Sequence, residues 1–148
     1  MNWKDAYNHC KSQGGNLVEI DSEEENTALV AEITRRGYTD RKMNFWIGLT
    51  DLRYEGDWRL ASSGLKPSYV NWHEGEPNNA RGNEDCAWIR IGIYKDWKGT
   101  WADINCKLPN FTMRVYLNTN TDKYTSYNYS MPGQDKPGAS HLQHSEPS

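Results

Sequence analysis

The hydrophobic pattern changes period once along the chain and does not change back, and that switch limits the fold more than any other feature. Up to Gly37 the apolar residues recur at helical spacing. Trp3, Ala6, Tyr7 and Cys10 fall at i, i+3, i+4 and i+7, with Asn2 placed to cap the first turn and Gln13-Gly14-Gly15-Asn16 placed to stop the helix. Leu17-Val18-Glu19-Ile20 reads as a short strand. Ser22-Glu23-Glu24-Glu25 then matches a capping box at the start of a second helix, with Leu29 and Ile33 on its inner face, Arg35 and Arg36 at its end and Gly37 as the stop. From Phe45 onward the pattern is one of strands. Phe45-Trp46-Ile47-Gly48-Leu49 has no polar break, the mark of a strand buried on both faces. Trp58, Tyr69, Trp72, Cys86-Ala87-Trp88-Ile89, Trp97 and Trp101 follow at short intervals among Gly, Asn, Asp and Pro. Two helices followed by short strands on long loops predict an α+β domain.

A chain of 148 residues has room for one such domain. Apolar residues make up only 36%, but seven Trp and nine Tyr raise the area that each buried position supplies. The folded part is expected to end near Leu117. Residues 118–148 are rich in Ser, Thr, Asn, Pro and Gly, cannot bury enough apolar surface to offset their ordering entropy, and read as a disordered polar tail. A net charge of -3 argues against a nucleic-acid partner, which calls for a basic face. There is no apolar stretch long enough to span a bilayer, and no apolar signal core follows Met1.

The stretch Trp72–Cys86 carries the chemistry. It concentrates oxygen donors (Glu74, Glu76, Asn78, Asn79, Asn83, Glu84, Asp85) in a segment too rich in Gly, Pro and Asn to be a helix. Hard cations such as calcium take several carboxylate and amide oxygens from a loop that can wrap around them. Zinc does not suit this set: His73 is the only nearby imidazole and Cys86 has no CxxC companion. Asp51 and Glu55 lie in another loop, and Asp103 follows Trp101. Ordinary polar loop residues would have the same composition. The three cysteines, Cys10, Cys86 and Cys106, leave two readings open: one bridge between Cys86 and Cys106, or three reduced, buried thiols.

Several motifs in order resemble the C-type lectin-like domain: Trp3 through Cys10, Gly15-Asn16-Leu17, Phe45-Trp46-Ile47-Gly48-Leu49, Glu76-Pro77-Asn78, Glu84-Asp85-Cys86 and Trp101-Ala102-Asp103 with Cys106. The resemblance covers residues 2–113. It implies an α+β fold with two helices flanking small antiparallel sheets, a long calcium-carrying loop, a Cys86–Cys106 disulfide and an extracellular, secreted, non-enzymatic protein. It also implies that Glu76 and Asn78, across a cis Glu76-Pro77 bond, hold the principal calcium together with Glu84 and Asp103, and that the same four residues meet the sugar. Asp51, Glu55, Asn79 and Asp85 fall where some members hold an accessory calcium. The Glu-Pro-Asn order resembles members that bind mannose, glucose, N-acetylglucosamine or fucose, which makes glycans or glycoproteins the expected partners.

Three departures from the family pattern stand out. Trp101-Ala102-Asp103 replaces Trp-Asn-Asp, removing one ligand oxygen and one amide. Glu76, Asn78, Glu84 and two oxygens of Asp103 still give about five protein donors, and two hydroxyls or waters bring the shell to about seven. The family's last cysteine, expected near Arg114 as the partner of Cys10, is absent, a loss on the order of 2–5 kcal/mol in a small secreted domain. The strand that normally precedes Trp3 is also missing, which suggests a truncated or alternatively spliced form. The second reading is a member that binds a protein ligand or calcium mineral without sugar. A glycosidase using Glu76 and Glu84 would need both carboxylates across a sugar bond, and both already have the same cation to hold.

Overall fold

The computed structural model describes residues 1–35, 37, 43–91, 95–108, 114–117 and 127–130. Helix α1 runs Trp3–Ser12. Asn2 caps it as expected, its side-chain oxygen accepting the Asp5 N–H at 2.8 Å. At the other end Gly15 N–H donates to the Cys10 carbonyl (2.9 Å) and Gly14 N–H to that of Lys11 (3.0 Å). This Schellman closure puts Gly14 at φ +78°, a left-handed position that favours glycine. Helix α2 runs Glu23–Arg35. Ser22 Oγ accepts the Glu25 N–H at 3.1 Å, one half of the expected capping box. The other half is displaced by one residue, because buried Glu25 accepts from the Asp21 N–H at 2.6 Å rather than from that of Ser22. Arg36 lies outside the described residues.

Four strands follow: β1 (Met43–Thr50), β2 (Arg59–Leu60), β3 (Cys86–Ile91) and β4 (Trp101–Ile104). They form one antiparallel sheet in the order β2-β1-β3-β4. Two clusters cover its opposite faces. Leu29 and Ile33 of α2 pack with Phe45, Ile47, Leu49, Ala87, Ile89, Ile91 and Trp101 on one side. Trp3, Ala6 and Cys10 of α1 pack with Trp46, Cys86, Trp88 and Ala102 on the other. The unbroken apolar run in β1 is explained by this layering, since alternate residues enter different cores. Cys86 and Cys106 form the disulfide, and Cys10 is buried outside it. The tryptophans are core: Trp46, Trp88 and Trp101 are buried, while Trp58 and Trp72 pack half-buried against the α2-side cluster.

Two expectations change. Among the described residues, 17–20 form no strand, although Leu17 takes part in a bridge. The segment crosses β1, where Gly48 N–H donates to the Val18 carbonyl at 2.7 Å. The crossing is tight because position 48 has no side chain: a Cβ there would come 2.8 Å from Glu19 Cγ and 3.0 Å from the Leu17 carbonyl. The second change lies in the span expected as a disordered tail. Within it, β6 (Tyr127–Ser130) pairs antiparallel with β5 (Arg114–Leu117). The Tyr-Asn-Tyr-Ser alternation of β6 suits a strand, and backbone pairing supplies order that aliphatic content does not. The remainder of 118–148 lies outside the described residues. Among the described residues no helix is long and apolar enough to cross a membrane.

Glu19 cannot swing away from Gly48 easily, because its carboxylate accepts both the Ser62 N–H (2.7 Å) and the Ser62 hydroxyl (2.8 Å). Gly48→Ala is therefore expected to lower stability by about 1–3 kcal/mol, the usual range for overpacking. Denaturant unfolding of the two chains checks it. A loss below about 0.5 kcal/mol, the range of ordinary surface changes, would mean that the crossing yields freely.

Candidate functional site

The long loop between β2 and β3 is held at its start by β4. Trp101 N–H donates to the Asn71 carbonyl and His73 N–H to the Trp101 carbonyl, both at 2.8 Å, a parallel bridge of Trp72 with Trp101. Around it the rings of Trp58, Trp72, Tyr69 and Trp101 meet edge to face. His73 packs as expected, though on Trp97 rather than on Trp72, with ring centroids 3.3 Å apart. Glu76 N–H then donates to the His73 carbonyl (2.9 Å), and the Glu76-Pro77 peptide is cis, as the sequence resemblance implied.

Past the proline the loop closes onto Asp103. The buried Asp103 carboxylate accepts the Asn78 N–H on Oδ1 (3.0 Å) and the Asn79 N–H on Oδ2 (2.7 Å). Asn78 donates its amide to Glu76 Oε1 at 3.0 Å. The Ala80 N–H is shared between Asn78 Oδ1 and Glu84 Oε2, each at 2.9 Å. Glu76, Asn78, Glu84 and Asp103 are thus joined in one hydrogen-bonded corner where the loop meets β4. Asn79 follows in the left-handed region at φ 45°, and its side-chain oxygen accepts the Glu84 N–H at 3.1 Å, which helps close the loop.

Burial governs the electrostatics, and the crowding of like charges adds to it. Burial pushes the Glu76 carboxyl up to about 7, helped by the hydrogen bond shared with Asp103 and by the charges of Asp103 and Glu84, and opposed by Arg90. Glu84 is also raised, first by burial and then by Asp103, against the Ala80 N–H and Arg81. Glu76 Oε2 is buried with no hydrogen-bond partner among the described residues. An orphaned carboxylate oxygen beside amide and carboxylate donors fits a hard cation, which would relieve both the missing partner and the repulsion.

Three acidic residues of the second expected group come together. Asp51, Glu55 and Asp85 bring ligand oxygens to within 4.8 Å of one another, a group that could hold a metal ion. Glu76, Glu84 and Asp103 do not close to that spacing. Asp51 is pushed up to about 6, mainly by burial, with Glu55 and Asp85 adding to the shift and the Gly56 N–H opposing it. Its Oδ1 is buried without a partner among the described residues. Ala102 is also buried, with its side chain in the α1-side cluster beside Cys86 and Trp88.

Sequence reasoning missed Arg90. It lies on β3 with its guanidinium carbon 4.1 Å from the ring centroid of Trp97 and 5.1 Å from that of Trp88. A lone arginine in a strand carries no signal for this, because its neighbours Trp97 and Glu76 reach it only through the fold.

Residues 1–113 match the family model described as the Lectin C-type domain. The chain is 42% identical over 105 residues to a perlucin-like protein of Mytilus galloprovincialis, covering 71% of this chain and 63% of that protein. It is 34% identical over 108 residues to a hepatic lectin of Gallus gallus, covering 72% of this chain and 45% of that protein. It therefore spans less than two thirds of the length of both these curated relatives. The crystal structure of the cow C-type carbohydrate-recognition domain of CD23, in the presence of GlcNAc2Man3 oligosaccharide, is similar with a TM-score of 0.58 at 31% identity, over 72% of this chain and 71% of that one. On the α+β architecture, the loop anchored to β4 and these matches together, the chain belongs to the C-type lectin domain family.

Proposed function

We propose that this chain binds carbohydrate through calcium, with Glu76, Asn78, Glu84 and Asp103 as the calcium-holding and sugar-contacting residues. The observation that carries the reading is the hydrogen-bonded corner they form, with one buried Glu76 oxygen left without a partner. The ion would supply a positive centre on which sugar hydroxyls can bind. Glu76 as acceptor beside Asn78 as donor matches adjacent hydroxyls, each of which both donates and accepts. The Glu-Pro-Asn order supports mannose, glucose, N-acetylglucosamine or fucose, and the sugar named with the cow relative agrees with glycan partners. Asp51, Glu55 and Asp85, together with Asn79, form the accessory site in this reading.

Members of the family are generally binding domains rather than enzymes, and here Glu76 accepts the Asn78 amide while Glu84 accepts the Ala80 N–H. The Cys86–Cys106 bridge suits an oxidising, extracellular setting. The binding unit is residues 1–117, with 118–148 as a polar extension. The burial of Ala102 away from the loop favours one second reading, a member that binds a protein or calcium mineral without sugar.

A thermal melt in chelator, then with calcium, then with calcium and excess mannose separates the two. Ligands specific for the folded state raise the midpoint by mass action. The expected result is a rise with calcium and a further rise with mannose. A calcium rise that no sugar extends would transfer the function to a protein or mineral ligand.

The raised Glu76 fixes the sign of two pH effects. Its pKa in the ion-free fold, about 7, lies above the ordinary 4.5, so between those values the folded state binds more protons than the unfolded one. In chelator, stability is expected to fall as pH rises from 4.5 through 7. Calcium affinity is expected to run the other way, weakening below pH 7 as protons compete for Glu76. Calorimetric titration at pH 8 and pH 6 checks the second effect, and equal affinities would count against Glu76 as a ligand.

Asp103→Ala would orphan the Asn78 and Asn79 N–H groups and remove a ligand together. It is expected to cost about 2–4 kcal/mol in chelator, from two hydrogen bonds to a buried carboxylate, and to abolish the calcium response. A variant as stable as the parent in chelator would show that Asp103 does not hold the loop.

A further inference from the structure

The exposed apolar side chains are gathered rather than scattered. Among the described residues four of the five large ones, Leu52, Tyr54, Leu65 and Val70, fall between positions 52 and 70, and they are 56%, 63%, 64% and 44% exposed. The backbone folds this stretch into two turns. In the first, Gly56 N–H donates to Asp51 Oδ2 (2.8 Å) and Asp57 N–H to the Tyr54 carbonyl (2.9 Å), so Leu52, Arg53 and Tyr54 ride on a closed turn. In the second, Gly64 N–H donates to the Leu60 carbonyl (2.8 Å) and Leu60 N–H to that of Leu65 (2.9 Å). Arg59 joins the two turns: its Nε donates to Asp57 Oδ1 at 2.9 Å, and its Nη1 reaches the Gly64 carbonyl at 3.4 Å. Further along, the Ser68 hydroxyl donates to the Asp21 carbonyl at 3.3 Å. That contact sets the stretch against the start of α2, where Glu23 and Glu24 are exposed.

Charge is divided across this face. At one end Asp57 is taken up by Arg59, and the Glu55 carboxylate gathers with those of Asp51 and Asp85. Exposed Arg53 and Lys66 are left positive, with no ion pair among the described residues. At the other end Glu23 and Glu24 are negative and equally unpaired among the described residues. A face with a basic end, an acidic end and apolar side chains is self-complementary about a twofold axis. The positive end of one copy meets the negative end of the other, twice, and the apolar side chains close on their counterparts. An acidic partner would use only one end of the face and a basic partner only the other. A second copy uses both.

We propose that this face, from Arg53 and Lys66 through Leu65 and Val70 to Glu23 and Glu24, is the contact between two copies of the chain in an isologous dimer. The proposal does not rest on the calcium reading. Whatever ligand the hydrogen-bonded corner takes, a dimer offers the corner twice and gains avidity without a new contact.

Sedimentation of the full chain in chelator, over a range of concentrations and at low and high salt, reads the dimer directly. The parent is expected to pass reversibly between monomer and dimer with a dissociation constant on the order of 100 μM, as suits a small interface with charged ends. High salt is expected to weaken it several-fold. Two double variants, Arg53→Glu with Lys66→Glu and Glu23→Lys with Glu24→Lys, are each expected to weaken the dimer at least about tenfold, because like charges then meet. Mixed in equal amounts they are expected to pair as well as the parent, since both contacts of the mixed dimer regain opposite signs. Lysines in the first turn of α2 oppose its dipole, so Leu65→Ser, which leaves the helix and the charges alone, is the further variant should the second pair not fold. It too is expected to weaken the dimer. A parent that stays monomeric at every concentration would sink the proposal, and one that instead binds a polyglutamate peptide through Arg53 and Lys66 would assign the face to an acidic partner. Variants that dimerise like the parent would move the contact to another face. Monomeric variants whose mixture is also monomeric, or a parent that grows beyond a dimer, would overturn the twofold arrangement.

Discussion

The hydrogen bond from the Trp101 indole N–H to Asn26 Oδ1, 2.9 Å long and buried, is the contact on which the arrangement turns. Asn26 is itself fixed, since its amide donates to the Gly99 carbonyl at 2.9 Å, and the Asn71 amide reaches the same carbonyl at 2.7 Å. One tryptophan thereby connects α2 to the sheet and, through its backbone bonds to Asn71 and His73, connects the sheet to the long loop. The start of the loop, from Asn71 to Glu76, is aimed from this anchor. A buried indole without that acceptor would leave an unsatisfied donor in the core, so the apolar layer and the loop position depend on a single polar pair.

The loop shows how a fold can hold carboxylates close to one another. Burial and the neighbouring carboxylates raise the proton affinity of Glu76 and Glu84, yet each of Glu76, Glu84 and Asp103 is given a local donor: the Asn78 amide, the Ala80 N–H, and the Asn78 and Asn79 N–H groups. These neutral dipoles hold geometry without cancelling charge, which leaves a site with negative potential and an unused oxygen.

The local features legible in the sequence were those whose cause is local. Asn2 as a cap, the glycine stop after α1, the helical faces of Leu29 and Ile33, and the buried β1 run all follow from periodicity and short-range hydrogen bonding. The oxygen-rich loop was legible as chemistry, and the motif order indicated which residues gather in it. Illegible were features that need two distant segments. Leu17–Ile20 looks like a strand by composition, but crosses β1 because Gly48 leaves room for the approach. The left-handed turn at Asn79, which brings its side-chain oxygen to the Glu84 N–H, has no signature in composition. Tyr127–Ser130 lies in a stretch without an aliphatic core, and its order comes from pairing with Arg114–Leu117.

By itself the sequence determined the two helices, the strand-rich remainder and the set of oxygens offered to a cation, because spacing and residue type act over a few positions. Only the tertiary structure decided which oxygens share a corner, which acidic trio closes to 4.8 Å, and that Arg90 lies over Trp88 and Trp97. Electrostatic and hydrogen-bond energies depend on distance in space. That distance is set by the packing of α2, the sheet and Trp101, and no local pattern encodes it.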